Sequence, residues 1–86
     1  MPLGPEDFCF NVSENDDGKT VVRFTTKALL NEEEIEDAEQ DLADFIFQEE
    51  DLFEVGEFEY ESDTDPKTIA ERLHNLGFTQ RPTYII

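Results

Sequence analysis

Carboxylates make up most of the side chains in this sequence that could do chemistry. The 86 residues include 23 Asp and Glu against 6 Lys and Arg, which gives a formal net charge of −17 at pH 7. Dense carboxylates can ligate calcium, act as a general acid and base, or present a negative surface to a basic protein. Each use requires a different spacing, and the sequence can be compared with each.

Two short acidic segments resemble calcium-binding loops but lack the ligands that such loops need. Residues 13–18 imitate the first half of an EF-hand loop, yet Phe24 stands where the bidentate Glu belongs. In residues 61–65 carboxylates alternate along the chain, but Pro66 occupies the place of the loop glycine. We therefore expect no specific metal site and no cofactor.

Nucleophiles and general acid–base groups are sparse. The chain has one cysteine, Cys9, and one histidine, His74. His74 lies near the end of a predicted helix, where a cation complements the helix dipole, and nothing beside Cys9 marks its thiol as reactive. Paired catalytic carboxylates need one member desolvated to raise its pKa, whereas the acidic residues here lie in uniformly polar stretches. We expect no catalytic residues and no enzymatic activity.

Charge and cysteine content also restrict the compartment and the partners. A chain this acidic is not expected to bind nucleic-acid phosphates or an anionic membrane. No apolar run approaches the ~18 residues needed to span a bilayer, and residues 1–7 lack the basic and apolar parts of a signal peptide. The single Cys9 permits no internal disulfide. These features predict a cytoplasmic protein.

The negative charge is concentrated in the middle of the chain. Residues 28–65 carry seventeen acidic residues and no Lys or Arg, while residues 1–27 have a net charge of −2 and residues 66–86 of +2. A net charge of magnitude ~2–8 is enough for the solubility of a small domain. The concentration therefore indicates an acidic interaction surface.

The N-terminal part is predicted to form a β-hairpin. Phe8, Phe10 and Val12 alternate with polar residues, which is the period of a half-buried strand. Asp17-Gly18 is a typical hairpin turn, and residues 20–26 continue as a second strand rich in β-branched side chains.

A first helix is predicted from Asn31 to about Gln48. Asn31 can cap it, with Glu34 completing a capping box. Its apolar stripe consists of Ile35, Ala38, Leu42, Phe45 and Ile46. The side opposite the stripe carries Glu33, Asp37, Gln40 and Asp44, flanked by Glu36 and Asp41. Phe47 projects toward this acidic side if the helix reaches it.

The remaining elements are a third strand and a second helix. Alternation predicts a strand over residues 55–61, with Glu57, Glu59 and Glu61 on one face. Asp65 is predicted to cap the second helix, with Pro66 at its first position and Gly77 at its end. Residues 83–86 are compatible with a short edge strand. The expectation is a single α+β domain over residues 1–86, with a small antiparallel sheet packed by two helices in the order β-β-α-β-α.

The density of charge on the predicted helix points to its function. Seven like-charged pairs at i,i+3 or i,i+4 oppose folding by roughly 1.5–3.5 kcal/mol, so stability does not explain them. Eight carboxylates over residues 32–44 give about one charge per 2.4 Å of helix, against about one per 1.7 Å for duplex DNA. The pattern predicts nucleic-acid mimicry, in which the protein occupies the DNA- or RNA-binding cleft of a basic protein and excludes its substrate.

The predicted partner-binding residues are Glu33, Glu36, Asp37, Asp41, Asp44, Phe47, Glu57, Glu59 and Glu61. In charge pattern the chain resembles the small acidic inhibitors encoded by phages and mobile elements, which block nucleases, CRISPR effectors, restriction enzymes or DNA-binding proteins by imitating DNA. It is also similar to acidic immunity proteins that neutralise nuclease toxins. The resemblance implies inhibition of a nucleic-acid-binding protein in a host cytoplasm, and it assigns no individual residue.

Two other functions fit the same composition. An acidic adaptor or regulatory subunit, including an immunity protein to a toxin, would bind its partner without mimicry. A structural protein would use the acidic residues for solubility and the apolar residues 84–86 as a subunit contact. The chain is accordingly expected to be a monomer or a homodimer. Phe53 is predicted to lie in the core, whereas core and interface both remain open for Phe47.

Overall fold

A computed structural model, which describes residues 3–27 and 29–80, has the α+β class that the sequence predicts. In chain order its elements are a 3-10 turn at Pro5–Asp7, strands β1 (Phe8–Glu14) and β2 (Thr20–Thr26), helix α1 (Glu32–Phe45), strands β3 (Phe53–Gly56) and β4 (Glu59–Ser62), helix α2 (Pro66–Asn75) and strand β5 (Thr79–Gln80). The order β-β-α-β-β-α-β thus has two more strands than predicted. Residues 83–86, for which an edge strand is predicted, lie outside the described residues.

The strands form one mixed sheet in the order β3-β4-β2-β1-β5. The β1–β2, β2–β4 and β3–β4 pairs are antiparallel, as predicted. The prediction of a purely antiparallel sheet is wrong, because β5 runs parallel to β1 and pairs Cys9 with Thr79. A parallel neighbour requires a long crossover between the two strands, and most of the described chain lies between β1 and β5.

The predicted single strand over residues 55–61 is wrong, because this region is a β-hairpin. β3 and β4 pair with each other, and Glu57 and Phe58 form the turn between them. Phe58 has a φ of +57°, which is rare for a bulky residue. Its backbone N–H donates to the carboxylate of Glu39 in α1 at 3.2 Å. A turn stabilised by a residue 19 positions away leaves no local sequence signal.

Both helices pack against the same face of the sheet. The buried cluster consists of Phe8, Phe10, Val22, Phe24 and Tyr60 from the strands, Ala38, Leu42 and Ile46 from α1 and its C-cap, Ile69 and Leu73 from α2, and Phe78. The rings of Phe24 and Phe78 pack with centroids 5.3 Å apart. Each buried side chain of this size contributes about 1.5–3 kcal/mol, so this aromatic-rich core is the main source of stability.

Helix α1 begins where the sequence predicts and ends earlier. The side chain of Asn31 accepts a hydrogen bond from the N–H of Glu34 at 2.9 Å, and the Glu34 carboxylate accepts one from the N–H of Asn31 at 3.2 Å. This capping box confirms the predicted start. The helix ends at Phe45, and a turn replaces the last residues predicted up to Gln48.

Helix α2 has the predicted cap at each end. The carboxylate of Asp65 accepts a hydrogen bond from the N–H of Thr68 at 3.0 Å. Gly77 has a φ of +105°, and the N–H of Phe78 donates to the carbonyl of Leu73 at 3.2 Å, which closes a Schellman turn. In the described part of the chain, no helix is long and apolar enough to cross a membrane.

Candidate protein-binding surface

One side of α1 presents a row of carboxylates to solvent. The predicted site residues in this row are Glu33, Glu36, Asp37, Asp41 and Asp44, which we call the acidic helix face. Four of them are exposed, and Asp41 is half-buried. Because Ala38 and Leu42 are fully buried against the sheet, the helical period turns these carboxylates outward. The structure therefore brings all five predicted α1 carboxylates to one surface.

The ion pairs of the described residues leave the acidic helix face unneutralised. Arg23 pairs with Glu59 at 3.3 Å, and Arg72 pairs with Asp51 at 2.6 Å and with Glu49 at 3.8 Å. None of these contacts involves α1. Its negative potential is therefore directed into solvent, where it attracts cationic groups.

Two other α1 carboxylates are used by the fold. Glu34 completes the capping box, and Glu39 accepts the hydrogen bond from the N–H of Phe58. The second contact fixes the β3–β4 turn against α1, which places the exposed Glu57 beside the helix. Among the three glutamates predicted on the third strand, Glu57 is therefore the one that is adjacent to a contact with α1.

Glu59 and Glu61 point away from both helices. They alternate along β4 with Tyr60 and Ser62, which are buried on the helix side, and successive side chains of a strand face opposite sides. Glu59 is moreover paired with Arg23. Glu59 and Glu61 consequently do not form one surface with the acidic helix face, but lie on the opposite side of a molecule whose shortest dimension is 23 Å.

Two phenylalanines outside the regular core are exposed. Phe47 follows the end of α1 and exposes 82% of its surface, which resolves the open alternative in favour of an accessible side chain. Phe53 exposes 60% on edge strand β3, so its predicted place in the core is wrong. The reason is that β3 pairs on one side only and its outer face has no element packed on it in the described residues.

Perturbed ionisable groups near the site are explained by contacts of the fold. The hydrogen bond from Arg72 lowers the pKa of Asp51, and a second bond from Thr64 lowers it further. Burial raises the pKa of Tyr60 to about 12, with the Glu54 carboxylate contributing. The hydrogen bonds behind these shifts connect the loop before β3 to α2 and to the segment that follows β4, and they link β3 to β4. They do not indicate an acid–base pair.

The two acidic segments that imitate calcium loops have structural roles. The side-chain oxygen of Asn15 accepts hydrogen bonds from the N–H groups of Asp17 and Lys19, both at 3.0 Å, and so closes the β1–β2 turn. Asp65 caps α2. Residues 3–27 and 29–80 contain no group of three or more His, Cys, Asp or Glu side chains that could hold a metal ion.

The acidic helix face is bordered by a shallow cleft of about 170 Å³. Leu3, Leu30 and Ala38 supply apolar walls, and Glu34, Asp37 and Asp41 line the helix side. Such a cleft offers a hydrophobic support for the stem of a lysine or arginine whose head meets the carboxylates.

The chain was compared with models of protein families, with curated proteins and with solved structures. None of the three comparisons finds a match.

Proposed function

We propose that this protein is an acidic inhibitor that occupies the nucleic-acid-binding cleft of a basic partner in the cytoplasm and excludes the nucleic acid. The observation that carries the proposal is the acidic helix face, whose carboxylates are held on a rigid helix and form no ion pair with the described basic residues. Nucleases, CRISPR or restriction effectors and DNA-binding proteins have clefts of the required charge.

The spacing of the charges suits such a cleft. Helix α1 has 14 residues and is therefore ~21 Å long. The five carboxylates of the acidic helix face lie within residues 33–44, at about one charge per 3.6 Å of helix, which is close to the ~3.4 Å per phosphate along one strand of a duplex. A cleft that contacts phosphates through Lys and Arg can make the same contacts with these carboxylates, and the long-range field raises the association rate 10–10³-fold.

Charge alone gives rate and selectivity more than affinity. Tight complexes also need buried apolar or aromatic contacts near the centre of the interface. Phe47 follows the end of α1 and is 82% exposed, so it is accessible to supply an aromatic contact beside the acidic helix face. Glu57, in the turn beside α1, extends the charged part of the same surface.

Affinity capture with charge-reversal variants tests the proposal. The tagged chain is incubated with host lysate, eluted in salt steps from ~0.05 to ~1 M, and the bound proteins are identified by mass spectrometry. The test variant carries Glu33→Lys, Asp37→Lys and Asp44→Lys on the acidic helix face. The control variant carries Glu14→Lys, Asp16→Lys and Glu71→Lys, which are exposed residues of other elements with the same change of net charge.

The expected result is a nucleic-acid-binding protein that the natural chain and the control variant retain, and that the test variant loses. Added duplex should displace the retained protein, since both ligands need the same cleft. Equal loss in both variants would show that net charge alone drives binding and would contradict the proposal. A partner that keeps its nucleic acid in the complex would instead identify an adaptor.

A further inference from the structure

A small apolar patch lies on the face of the sheet that points away from the helices. Phe53 and Val55, which we call the β3 patch, expose 60% and 49% of their surface. Together with Lys19, Glu61 and Asp63 they line a shallow cleft of about 190 Å³. Adjacent exposed apolar side chains with a polar rim are typical of a contact surface.

The strand register connects this patch to the rest of the outer sheet face. Phe53 lies opposite Glu61 on β4, and Glu61 lies opposite Val21 on β2. Paired residues share a face of the sheet, so the three side chains form one row. Val21 is only 8% exposed, so it adds little accessible surface to this row. The β3 patch is thus part of a surface that extends over three strands.

Both positively and negatively charged side chains surround the β3 patch, whereas the acidic helix face consists of carboxylates alone. Lys19 and Arg23 lie on this face beside Glu59, Glu61 and Asp63, and Lys19 forms no ion pair with the described acidic residues. In a two-fold dimer both copies use the same surface, so any contact from residue i of one copy to residue j of the other occurs twice. Lys19 of each copy can therefore face an acidic residue of the other. A strongly basic partner is instead attracted to α1. Local charge complementarity therefore selects a second copy of this chain, while the net charges of the two copies repel each other over longer distances.

The contact is expected between sheet faces rather than between strand edges. Edge strand β3 is short and has a bulge between Glu54 and Gly56. The carboxylate of Glu54 is turned to the helix side, where it accepts a hydrogen bond from the hydroxyl of Tyr60 at 3.4 Å. Short, bulged edges with an inward-pointing charge resist edge-to-edge pairing.

We infer that the chain forms a weak two-fold dimer through the outer face of its sheet, centred on the β3 patch. With ~3.3 Å per residue and ~4.8 Å between strands, this face measures on the order of 400 Å², about half of the ~800 Å² that each partner buries in a stable complex. The acidic helix faces point outward from the dimer. At ~0.15 M salt the Debye length of ~8 Å screens them from each other. The inference does not depend on the proposed function.

Sedimentation velocity of the whole chain tests the dimer over protein concentrations from about 1 μM to about 1 mM. The test variant is Phe53→Glu, and the matched control is Phe47→Glu. Both replace an exposed phenylalanine by the same charged residue, but only the first lies in the β3 patch. Circular dichroism establishes that each variant is folded, and Val55→Glu serves as the test variant if Phe53→Glu is not.

At ~0.15 M salt the natural chain and Phe47→Glu should pass from monomer to dimer as the concentration rises. Phe53→Glu should require an at least tenfold higher concentration, on the order of the loss caused by removing a central contact. Lowering the salt to ~0.01 M should weaken the dimer, because the Debye length grows to ~30 Å and the two acidic copies repel each other more strongly. The affinity for a basic partner should instead rise at low salt. A monomer at every concentration, or equal effects of both substitutions, overturns the inference.

Discussion

At the scale of single residues, carboxylates that look equivalent in the sequence have different roles in the structure. Glu36 and Glu39 both belong to the acidic stretch of α1, but only Glu39 accepts a hydrogen bond from the N–H of Phe58. This bond supports a residue with positive φ, a conformation that costs a non-glycine residue about 1–2 kcal/mol. The sequence could not reveal it, because the two partners are 19 positions apart and neither Glu57 nor Phe58 is a typical turn residue.

The role of Glu39 can be measured through the stability of the protein. Glu39→Ala removes the acceptor and should lower the free energy of unfolding by about 1–2 kcal/mol relative to Glu39→Gln. Both substitutions remove the negative charge, but only glutamine keeps an oxygen acceptor. The difference in stability between the two variants therefore reports the hydrogen bond alone. Urea denaturation of both variants gives the comparison, and equal stabilities would show that the bond to Phe58 contributes nothing.

Tyr60 should lose its phenolic proton at a higher pH than an ordinary tyrosine. Its pKa is raised to about 12, first by burial and then by the Glu54 carboxylate. A raised pKa means that the folded state keeps the phenolic proton at pH values at which the unfolded state releases it. The resulting contribution to the free energy of unfolding is fully present below pH ~10 and is lost as the pH rises toward 12. In a Tyr84→Phe background, phenolate absorbance reports Tyr60 alone, and a midpoint near 10 would contradict the structural explanation.

At the scale of elements, α1 combines a favourable start with unfavourable charges. The capping box at Asn31 and the buried stripe stabilise the helix, while its exposed carboxylates repel one another. Helix α1 contains no Lys or Arg that could offset this repulsion. An element that is less stable than its length allows is consistent with selection for another property of its surface.

Neutralising one helix carboxylate should stabilise the protein. Asp37 lies at i,i+3 or i,i+4 from Glu33, Glu34 and Asp41, so Asp37→Asn removes three repulsive pairs and should raise the free energy of unfolding by about 0.5–1.5 kcal/mol at low salt. Gln40→Glu adds three such pairs and should lower it by a similar amount. Both effects should shrink at ~1 M salt. Thermal or urea denaturation at two salt concentrations measures them, and an absence of both effects at low salt would contradict the helix electrostatics.

Local signals predicted some elements well and others not at all. The boundaries of β2, the cap at Asn31 and the glycine turn at Gly77 follow from neighbouring residues, and all three are confirmed. The β3–β4 hairpin was missed because residues 55–61 alternate in a way that fits one strand equally well. Strand β5 was missed because only two residues, Thr79 and Gln80, pair with β1.

At the scale of the whole molecule, the two layers separate two kinds of surface. The helix layer carries the acidic helix face, and the outer face of the sheet carries mixed charges around Phe53. The sequence predicted the charges themselves, since residues 28–65 contain no base. It could not predict that Glu59 and Glu61 lie on the opposite side from α1, because that depends on the register of β4 with β2.

Competition between this protein and nucleic acid for the captured partner distinguishes mimicry from the other functions. A fluorescently labelled duplex is bound to the partner at ~0.15 M salt, and its anisotropy is followed as the natural chain is added. Mimicry predicts that the anisotropy falls to the value of free duplex, and that Glu33→Lys with Asp37→Lys and Asp44→Lys abolishes the fall. An anisotropy that stays constant or rises as the chain binds would reveal a ternary complex and contradict mimicry.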